Sequence, residues 1–449
     1  MRVTNLVAVA MKSLVAMLVL SCASLATAAQ ESAVAVKRTF VKLTNNANAL
    51  IIEPQSPDPQ RARFAVLLTH PDHVNTFNYF IGDELAKRGY RVMMMNYYGP
   101  EEVYEEFLAP LAAAVKYLRG IPGIQKVVFA GHSTGGAVLT FYQDVAENGP
   151  KACRGAERVY PCRGKNLENL PSADGVMILD SSAGALERLI ALDPSVDSRH
   201  PREHKPELDM FDARNGFDPQ TKSGVYSADF VRKYLAAQSA REMSLIEAAS
   251  LRLEKIEKGE GDYKDDEPFV IPGSSVHAYD GARLDLADLQ LLSRSHKPHP
   301  LLRADGSMST GILRSTRPPL AVADAMDRLT QTTMNVTVRH FLSYHAMRTA
   351  PGYQVTEDNV TGVEWRSVPN SVPGNVEGIR VPTLFMAATC APHLVFTEIA
   401  YELSAAQDKE FIGVDGADHE FRPCKPEYGD PARHAFDYVD SWLLKAGRF

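Results

Sequence analysis

Two patterns of hydrophobic positions alternate along residues 29–183 and again after residue 375. One is a short run of consecutive apolar residues, and the other is the three- and four-residue spacing of one helix face. Apolar runs of strand length occupy residues 63–69, 90–96, 126–130, 175–180, 381–387 and 410–414. Helical patterns follow over residues 76–88, 104–119, 137–147, 396–406 and 431–445. This alternation predicts an α/β fold, a mostly parallel, doubly wound sheet with helices on both faces.

The middle of the chain, residues 184–375, has a different pattern. Helical spacing predicts helices over residues 228–258, 284–293 and 320–347. Residues 259–273 are charged and then rich in proline and glycine, which predicts a loop. We therefore interpret residues 29–183 and 376–449 as two parts of one core. Residues 184–375 are interpreted as a large, mainly helical cap inserted between them.

Composition and charge narrow the class of protein. The chain has 449 residues, of which 45% are hydrophobic and 23% are charged, and this length suits one large domain with an insertion. A formal net charge of −7 argues against nucleic acid or an anionic membrane surface as the partner. After the first residues, no apolar stretch is long enough to cross a bilayer.

The first 28 residues have the features of an export signal. Arg2 and Lys12 supply positive charge, residues 13–20 form a short apolar segment, and residues 26–28 fit a small-x-small cleavage site. The sequence therefore predicts a periplasmic or secreted protein whose mature chain begins near residue 29. The segment before Cys22 loosely resembles a bacterial lipoprotein box, so a lipid anchor on Cys22 stays as an alternative.

The segment with the clearest chemistry is Gly-His-Ser-Thr-Gly, residues 131–135. It directly follows an apolar strand and precedes a helix, which is the context in which a G-x-S-x-G serine acts as a nucleophile. Gly131 and Gly135 are expected where a Cβ would clash. Ser133 is the predicted nucleophile, and the backbone N–H of Thr134 is the predicted first donor to an oxyanion.

Together with Gly-Ala-Asp-His at residues 416–419, this motif makes the chain resemble the α/β-hydrolase family. The resemblance covers residues 64–183 and 378–446. It implies the α/β-hydrolase fold and a catalytic order of nucleophile, acid and histidine, with Ser133 first and His419 last. A serine needs a neighbouring imidazole to accept its proton, and a carboxylate orients that imidazole. His434 in the terminal helix is a weaker rival to His419.

The position of the carboxylate that would orient His419 differs from the family pattern. Members usually carry it in the loop after the strand at 381–387, but alanine stands at the expected position in residues 388–392. Some members place the acid at the end of the preceding strand, which here is Asp180. Glu398 is the second candidate and Asp418 the third, and a dyad of serine and histidine without an acid also stays open.

The resemblance places the second oxyanion donor in the loop after the strand at 63–69. Pro71 has no N–H, so the N–H of Asp72 is the predicted donor, with His73 behind it. His70 and the Asp72–His73 pair also have side chains that bind metals, but no further ligand with suitable spacing accompanies them, so no metal is predicted. His296 and His299 are interpreted as belonging to an exposed loop.

Four cysteines remain after the predicted leader is removed, and an even number in an exported chain predicts two disulfides. The candidates are Cys153, Cys162, Cys390 and Cys424. Three pairings are open, and we favour Cys153 with Cys162 as a small local loop. The resemblance favours Cys390 with Cys424, because the implied fold brings their loops together and the bond would hold the His419 loop.

The resemblance implies a serine hydrolase of the carboxylesterase or lipase type that acts through an acyl-enzyme intermediate. It implies no cofactor or metal, and its partner is a small-molecule or lipid-like ester. The same machinery serves amide, thioester, lactone and diketone carbon–carbon bonds, and fold alone does not choose among them. A non-catalytic binding protein of this fold is the alternative from a different class. The natural substrate and the oligomeric state stay open.

Overall fold

The computed structural model of the protein describes residues 35–71, 75–99, 102–165, 167–197, 200, 203–275, 281–319 and 332–449. The predicted export signal with Cys22 lies outside these residues. So do Asp72 and His73, the predicted oxyanion-loop residues.

The strands of the described structure are β1 (Val36–Thr44), β2 (Ala47–Pro54), β3 (Phe64–Thr69), β4 (Arg91–Tyr97), β5 (Lys126–Ser133), β6 (Gly175–Ser181), β7 (Phe217–Asp218), β8 (Ser223–Gly224), β9 (Pro268–Pro272), β10 (Arg294–Leu302), β11 (Met308–Arg314), β12 (Thr333–Thr337), β13 (Thr349–Val355), β14 (Val360–Val363), β15 (Thr383–Ala388) and β16 (Lys409–Val414). The helices are α1 (Pro59–Ala62), α2 (Phe80–Lys87), α3 (Leu108–Arg119), α4 (Gly135–Asn148), α5 (Lys151–Arg154), α6 (Ala185–Ile190), α7 (Ala228–Glu257), α8 (Leu284–Ala287), α9 (Val338–Tyr344), α10 (Val372–Val376), α11 (Leu394–Leu403) and α12 (Pro431–Leu443).

A ten-stranded sheet forms the centre of the molecule, in the order β1-β2-β4-β3-β5-β6-β15-β16-β10-β11. The strands from β4 to β16 in this order are parallel, and the β1–β2 hairpin joins them antiparallel to β4. This strand order is the one that the α/β-hydrolase fold implies, and the prediction of that fold is confirmed. All parallel strands therefore end at one edge of the sheet, where ligands bind in open α/β sheets.

Both faces of the sheet are buried, as the continuous apolar runs predict. Successive residues of a strand point to opposite faces, so Leu67 and Leu68 belong to two different apolar clusters. The cluster around Leu67 packs against α3 and α4, and the cluster around Leu68 packs against α2 and α12. Every residue of β3 and of β6 is buried, which fixes the positions of the strand ends that carry the site.

The segment predicted as a cap contains one long helix, α7, together with shorter helices and small two-stranded sheets. The predicted helix over 320–347 is wrong at β12, which pairs antiparallel with β9. Alternating and β-branched residues at 333–337 fit a strand once a partner strand covers them. The predicted helix over 284–293 ends at Ala287, because the Asp288 side chain accepts the N–H of Gln290 and forms a turn.

The prediction of an exposed loop around His296 and His299 is also wrong, because both residues lie in β10. This strand extends the central sheet through Leu301 and Leu302, which pair with β16. Prolines at 298 and 300 obscured the strand, yet they are tolerated near the edge of a sheet. His299 is buried, whereas the His296 side chain is largely exposed.

Within the described residues, no helix combines the length and the apolar character that a membrane-spanning segment requires.

Candidate active site

Ser133 stands at the carboxyl end of β5, in the turn that leads into α4. Its φ is 53°, a left-handed conformation that a serine adopts at a cost of roughly 1–2 kcal/mol. The turn allows no side chain at its glycines, since a Cβ on Gly135 would overlap the carbonyl oxygen of Thr69. A Cβ on Gly131 would lie 2.6 Å from the Cα of Gly136. Close packing of the strand and the helix therefore holds the serine in this strained position.

Asp180 lies at the end of the neighbouring strand β6, beside Ser133, and its φ is also left-handed at 43°. Ser181, the next residue, pairs with Ser133 across the two strands and donates its hydroxyl hydrogen to the Ser133 carbonyl, with an oxygen–oxygen distance of 2.7 Å. Positive φ at a non-glycine residue is uncommon and concentrates at functional sites. The sheet therefore brings two strained polar residues to one place at its carboxyl edge.

His419 reaches the same place from the loop after β16. Its Nδ1 lies 2.7 Å from Oδ2 of Asp180, and the carboxylate is fully buried while the imidazole remains partly exposed. The ring stacks on His132, the residue before Ser133, with 4.4 Å between ring centroids. The structure thus places His419 in contact with Asp180, at the edge of the sheet where β5 ends at Ser133.

His132 fixes the backbone of the histidine loop. Its Nε2 lies 2.6 Å from the carbonyl oxygen of His419, and its Nδ1 lies 2.6 Å from the hydroxyl of Tyr79. Complete burial, followed by the nearby His419, holds the pKa of His132 well below its ordinary value. The neutral ring then donates from Nε2 to the carbonyl and accepts at Nδ1 from the tyrosine hydroxyl. His132 therefore ties the loop of His419 to the strand that carries Ser133.

A second histidine, His393, contacts the same carboxylate and was missed by the sequence analysis. Its Nδ1 lies 3.1 Å from Oδ2 of Asp180, and its Nε2 lies 3.5 Å from Oε1 of Glu187. Burial by itself would raise the pKa of Asp180, but the charge and hydrogen bond of His393, and then those of His419, lower it overall. Asp180 is therefore ionised at neutral pH. The one available signal was position, because His393 lies just after the altered acid loop.

The remaining candidate acids have other partners. Glu398 accepts the backbone N–H groups of His296 and Lys297, at 2.7 and 2.9 Å, and pairs with His299. It therefore anchors β10 to α11. Asp418 accepts the N–H groups of Glu420 and Arg422 and so shapes the turn after His419. Asp180 is the candidate whose carboxylate lies 2.7 Å from Nδ1 of His419.

The predicted oxyanion donors are only partly described. Thr134 immediately precedes α4, where helix N–H groups have no partner within the helix. Its hydroxyl lies 3.1 Å from Nε2 of His70, which follows β3. Asp72 lies outside the described residues, so its role stays a prediction. The rival His434 lies on α12 and is 3.5 Å from the guanidinium of Arg433.

Asp180, His393 and His419 have potential ligand atoms within 4.8 Å of one another. Among the described residues they are therefore a candidate set of metal ligands. His393, however, has a carboxylate at each ring nitrogen. Burial opposes its protonation, but Glu187 and Asp180 outweigh it and raise the pKa of His393 to about 10. An imidazolium has no lone pair to give to a metal. The group therefore fits a hydrogen-bonded charge cluster, and no metal is assigned to it.

Both disulfides that the sequence analysis favours are formed, Cys153 with Cys162 and Cys390 with Cys424. The second joins the loop after β15 to the loop of His419. Backbone bonds surround it, because the Cys390 N–H donates to the Ala417 carbonyl and the Cys424 N–H donates to the Gly416 carbonyl. This disulfide therefore holds the segment between Asp415 and Cys424 that carries His419.

Removing this disulfide is expected to reduce both stability and ester turnover. For the 34-residue separation, the chain-entropy model gives a loss of about 3–4 kcal/mol in the free energy of unfolding. In the Cys390→Ser/Cys424→Ser variant we expect kcat to fall about tenfold at 25 °C, because His419 is held less firmly. Urea unfolding and initial rates measure the two effects.

The Cys153→Ser/Cys162→Ser variant is the matched control. Its nine-residue separation gives a stability loss of about 2.6 kcal/mol, and it joins α5 to the segment just after it rather than to the loop of His419. We expect kcat of this control to stay within twofold of the parent. Equal losses of kcat in the two variants would contradict a specific role for the Cys390 disulfide.

No protein-family model matches the chain, and no curated protein matches it in sequence. Among solved structures, the siderophore hydrolase EstB from Aspergillus fumigatus has 11% identity and a TM-score of 0.43, covering 93% of this chain and 100% of that one. Est1E from Butyrivibrio proteoclasticus has 9% identity and a TM-score of 0.40, covering 91% and 99%. The esterase domain of a Rhodothermus marinus protein has 10% identity and a TM-score of 0.38, covering 92% and 98%. Because these TM-scores are below 0.5, functional conclusions rest on the geometry of the site.

Proposed function

We propose that this protein is an exported serine hydrolase that cleaves carboxylic esters through an acyl-enzyme intermediate. The observation that carries the proposal is the 2.7 Å contact between His419 Nδ1 and a buried, ionised Asp180, beside a serine in a strained turn. A strained nucleophile, an orienting carboxylate and an imidazole between them form the arrangement that serine hydrolases share on unrelated folds.

In the proposed reaction, Ser133 Oγ attacks the ester carbonyl carbon while its proton passes to Nε2 of His419. Nδ1–H of the same ring donates to Asp180, which fixes the tautomer and stabilises the imidazolium. The tetrahedral intermediate then collapses, the C–O bond to the leaving group breaks, and His419 protonates the departing alkoxide. Water, deprotonated by His419, attacks the acyl-enzyme and releases the acid and free Ser133.

The developing oxyanion is assigned to backbone N–H groups. Thr134 supplies one at the N-terminus of α4, where the helix dipole favours negative charge. The second is assigned to Asp72, as the sequence predicts. Each such donor is worth about 10²–10³ in kcat in serine hydrolases.

Residues 184–375, apart from β10 and β11, which extend the central sheet, are proposed as the cap that shapes the substrate pocket above this edge of the sheet. Export to the periplasm or the medium is proposed on the leader-like first 28 residues and on the two disulfides. The substrate is then an ester met outside the cytoplasm. No step of the proposed reaction requires a cofactor.

A panel of matched substrates tests the bond type. The panel contains one acyl group presented as an oxygen ester, a thioester, an amide and a lactone, together with a diketone. We expect kcat/KM for the ester to exceed that for the amide by at least 100-fold, because an alkoxide leaves more readily than an amine. Faster turnover of the amide or the diketone would contradict an esterase. It would indicate that the same residues cleave a different type of bond.

A further inference from the structure

Tyr79 contacts the site from the segment that follows the predicted oxyanion loop. Its hydroxyl lies 2.6 Å from Nδ1 of His132, and Nε2 of the same ring lies 2.6 Å from the carbonyl oxygen of His419. These contacts form a chain of hydrogen bonds that runs from residues 75–79 through the end of β5 to the loop after β16. The proposed reaction uses His419, but it assigns nothing to Tyr79.

The carbonyl of His419 can only accept a hydrogen bond, and this fixes the direction of both contacts. Nε2 of His132 must carry a hydrogen in order to donate to that carbonyl. Because burial holds the pKa of His132 well below its ordinary value, the ring is neutral and Nδ1 carries no hydrogen. The Tyr79 hydroxyl therefore donates to Nδ1, the nitrogen that the His419 carbonyl leaves as an acceptor.

Aromatic packing holds the ring of His132 in place. It stacks on the His419 ring with 4.4 Å between centroids and 28° between planes. Phe80 meets His132 nearly at a right angle with 5.3 Å between centroids, and Phe421 contacts it at 6.3 Å. Because His132 is buried among these rings, a change in its orientation moves the surface against which the His419 ring rests. The orientation of His132 therefore affects the geometry of His419 directly.

The segment that carries Tyr79 is anchored to the central sheet. Asn96, buried near the end of β4, accepts the backbone N–H of Thr76 at 2.9 Å and the Thr76 hydroxyl hydrogen at 2.7 Å. The side-chain NH₂ of Asn96 donates to Oδ1 of Asn75 at 3.0 Å. Helix α2 begins directly after Tyr79, at Phe80. The Tyr79 hydroxyl is therefore carried by a backbone that is held on both sides.

We propose that Tyr79 is a positioning residue that holds His419 in place relative to Ser133, through its hydrogen bond to His132. This inference rests on the proposed function of Ser133, Asp180 and His419. Tyr79 does not touch substrate in this account. It acts through His132, which lies on the strand of the nucleophile and binds the backbone of the loop that carries His419.

Tyr79→Phe removes the hydroxyl with the smallest change of shape. The buried Nδ1 of His132 then loses this hydrogen bond, which favours ring orientations that reach another donor or water and weaken the contact with the His419 carbonyl. We expect kcat for an activated ester to fall about tenfold while KM stays within about twofold, because His419 is less well placed. The rate constant for inactivation by a fluorophosphonate should fall by a similar factor.

Tyr142→Phe is the matched control. The Tyr142 hydroxyl also donates to a backbone carbonyl, that of Pro171 at 2.8 Å, but it joins α4 to the segment before β6 rather than to the loop of His419. We expect kcat of this control to stay within about twofold of the parent. Equal losses of kcat in the two variants, or a Tyr79→Phe protein that changes only KM or nothing, would overturn the inference.

A double-mutant cycle tests whether Tyr79 acts through His132. His132→Phe keeps a ring beside His419 but has neither nitrogen, so it breaks the hydrogen-bond chain in the middle. In this background Tyr79→Phe should change kcat by less than about twofold, because the connection to His419 is already lost. A further tenfold loss in the double variant would show that the effect of Tyr79 takes another route and would overturn the inference.

Nitrogen NMR of the wild-type protein, with histidines labelled with ¹⁵N, tests the hydrogen-bond chain even if a variant fails to fold. At pH 7 the His132 ring, identified by its contacts with the rings of Tyr79 and His419, should be neutral with its hydrogen on Nε2. A hydrogen on Nδ1 would overturn the inference. Wild-type protein that does not react with the fluorophosphonate would instead overturn the proposed function, and the NMR result would still decide whether Tyr79 donates to His132.

Discussion

Ser133→Ala is expected to lower kcat/KM for ester hydrolysis by about four to six orders of magnitude, because no other group replaces the nucleophile. The remaining rate would come from binding and from the oxyanion donors alone. Initial rates with an activated ester, measured beside the parent protein, give the factor. Ser441→Ala on α12, whose hydroxyl donates to the Asp437 carbonyl within the same helix, is the matched control and should keep full activity.

The same position links activity to stability. A φ of 53° raises the free energy of the folded protein, because the Cβ of Ser133 is crowded in this conformation. Glycine has no Cβ and adopts the same conformation without this cost. Ser133→Gly should therefore be as inactive as Ser133→Ala but more stable to urea by about 1 kcal/mol. Turnover within tenfold of the parent in either variant would contradict Ser133 as the nucleophile.

Asp180→Asn is expected to lower kcat by about 10³–10⁴-fold with little change in KM, because the amide no longer holds His419 in the required tautomer. It should also destabilise the fold by about 3–5 kcal/mol, because the buried cation at His393 loses one of its two carboxylates. Steady-state kinetics and urea unfolding separate the two losses, provided that rates are taken well below the unfolding midpoint.

Glu398→Gln is the informative comparison for Asp180→Asn, because Glu398 is equally buried and was the second candidate acid. Glu398 accepts the backbone N–H groups of His296 and Lys297 in β10. We therefore expect the variant to lower the free energy of unfolding, because β10 is held less firmly, while kcat stays within about threefold of the parent. The reverse pattern, with Glu398→Gln inactive and Asp180→Asn active, would assign the acid role to Glu398.

The core sheet and the serine turn could be predicted because their signals are local. A parallel strand covered on both faces is apolar at every position, as β3 and β6 are, so its sequence is unambiguous. The turn at Ser133 needs glycine at residues 131 and 135 for packing reasons that act over a few residues. The predicted bounds of these elements lie within a few residues of the observed ones.

Strands whose partners lie elsewhere in the chain were harder to predict. The β1–β2 hairpin was overlooked because most exposed positions of β1 are charged and because its neighbour in the sheet is β4. The β10 strand contains lysine, histidine and two prolines, and only its contacts with β11 and β16 make it a strand. In both cases tertiary pairing, rather than intrinsic preference, decides the structure.

His393 shows why part of the site could not be predicted. A histidine at the start of a helix has no sequence pattern that marks it as a buried cation. Its charge depends on Glu187 and Asp180, which are more than 200 positions earlier in the chain, and on their burial. Asp180 itself was identified through the family resemblance, because a carboxylate at a strand end is by itself an ordinary turn residue.

The most direct test of the account is to treat the purified protein with a fluorophosphonate probe and to locate the adduct by peptide mass spectrometry. We expect a single modified serine, Ser133, and a reaction roughly 1,000-fold slower or more in His419→Ala with the fold unchanged. Circular dichroism and the urea midpoint establish that the variant is folded. A folded wild-type protein that stays unlabelled, or that is labelled on another serine, would contradict the assignment of Ser133 as an activated nucleophile.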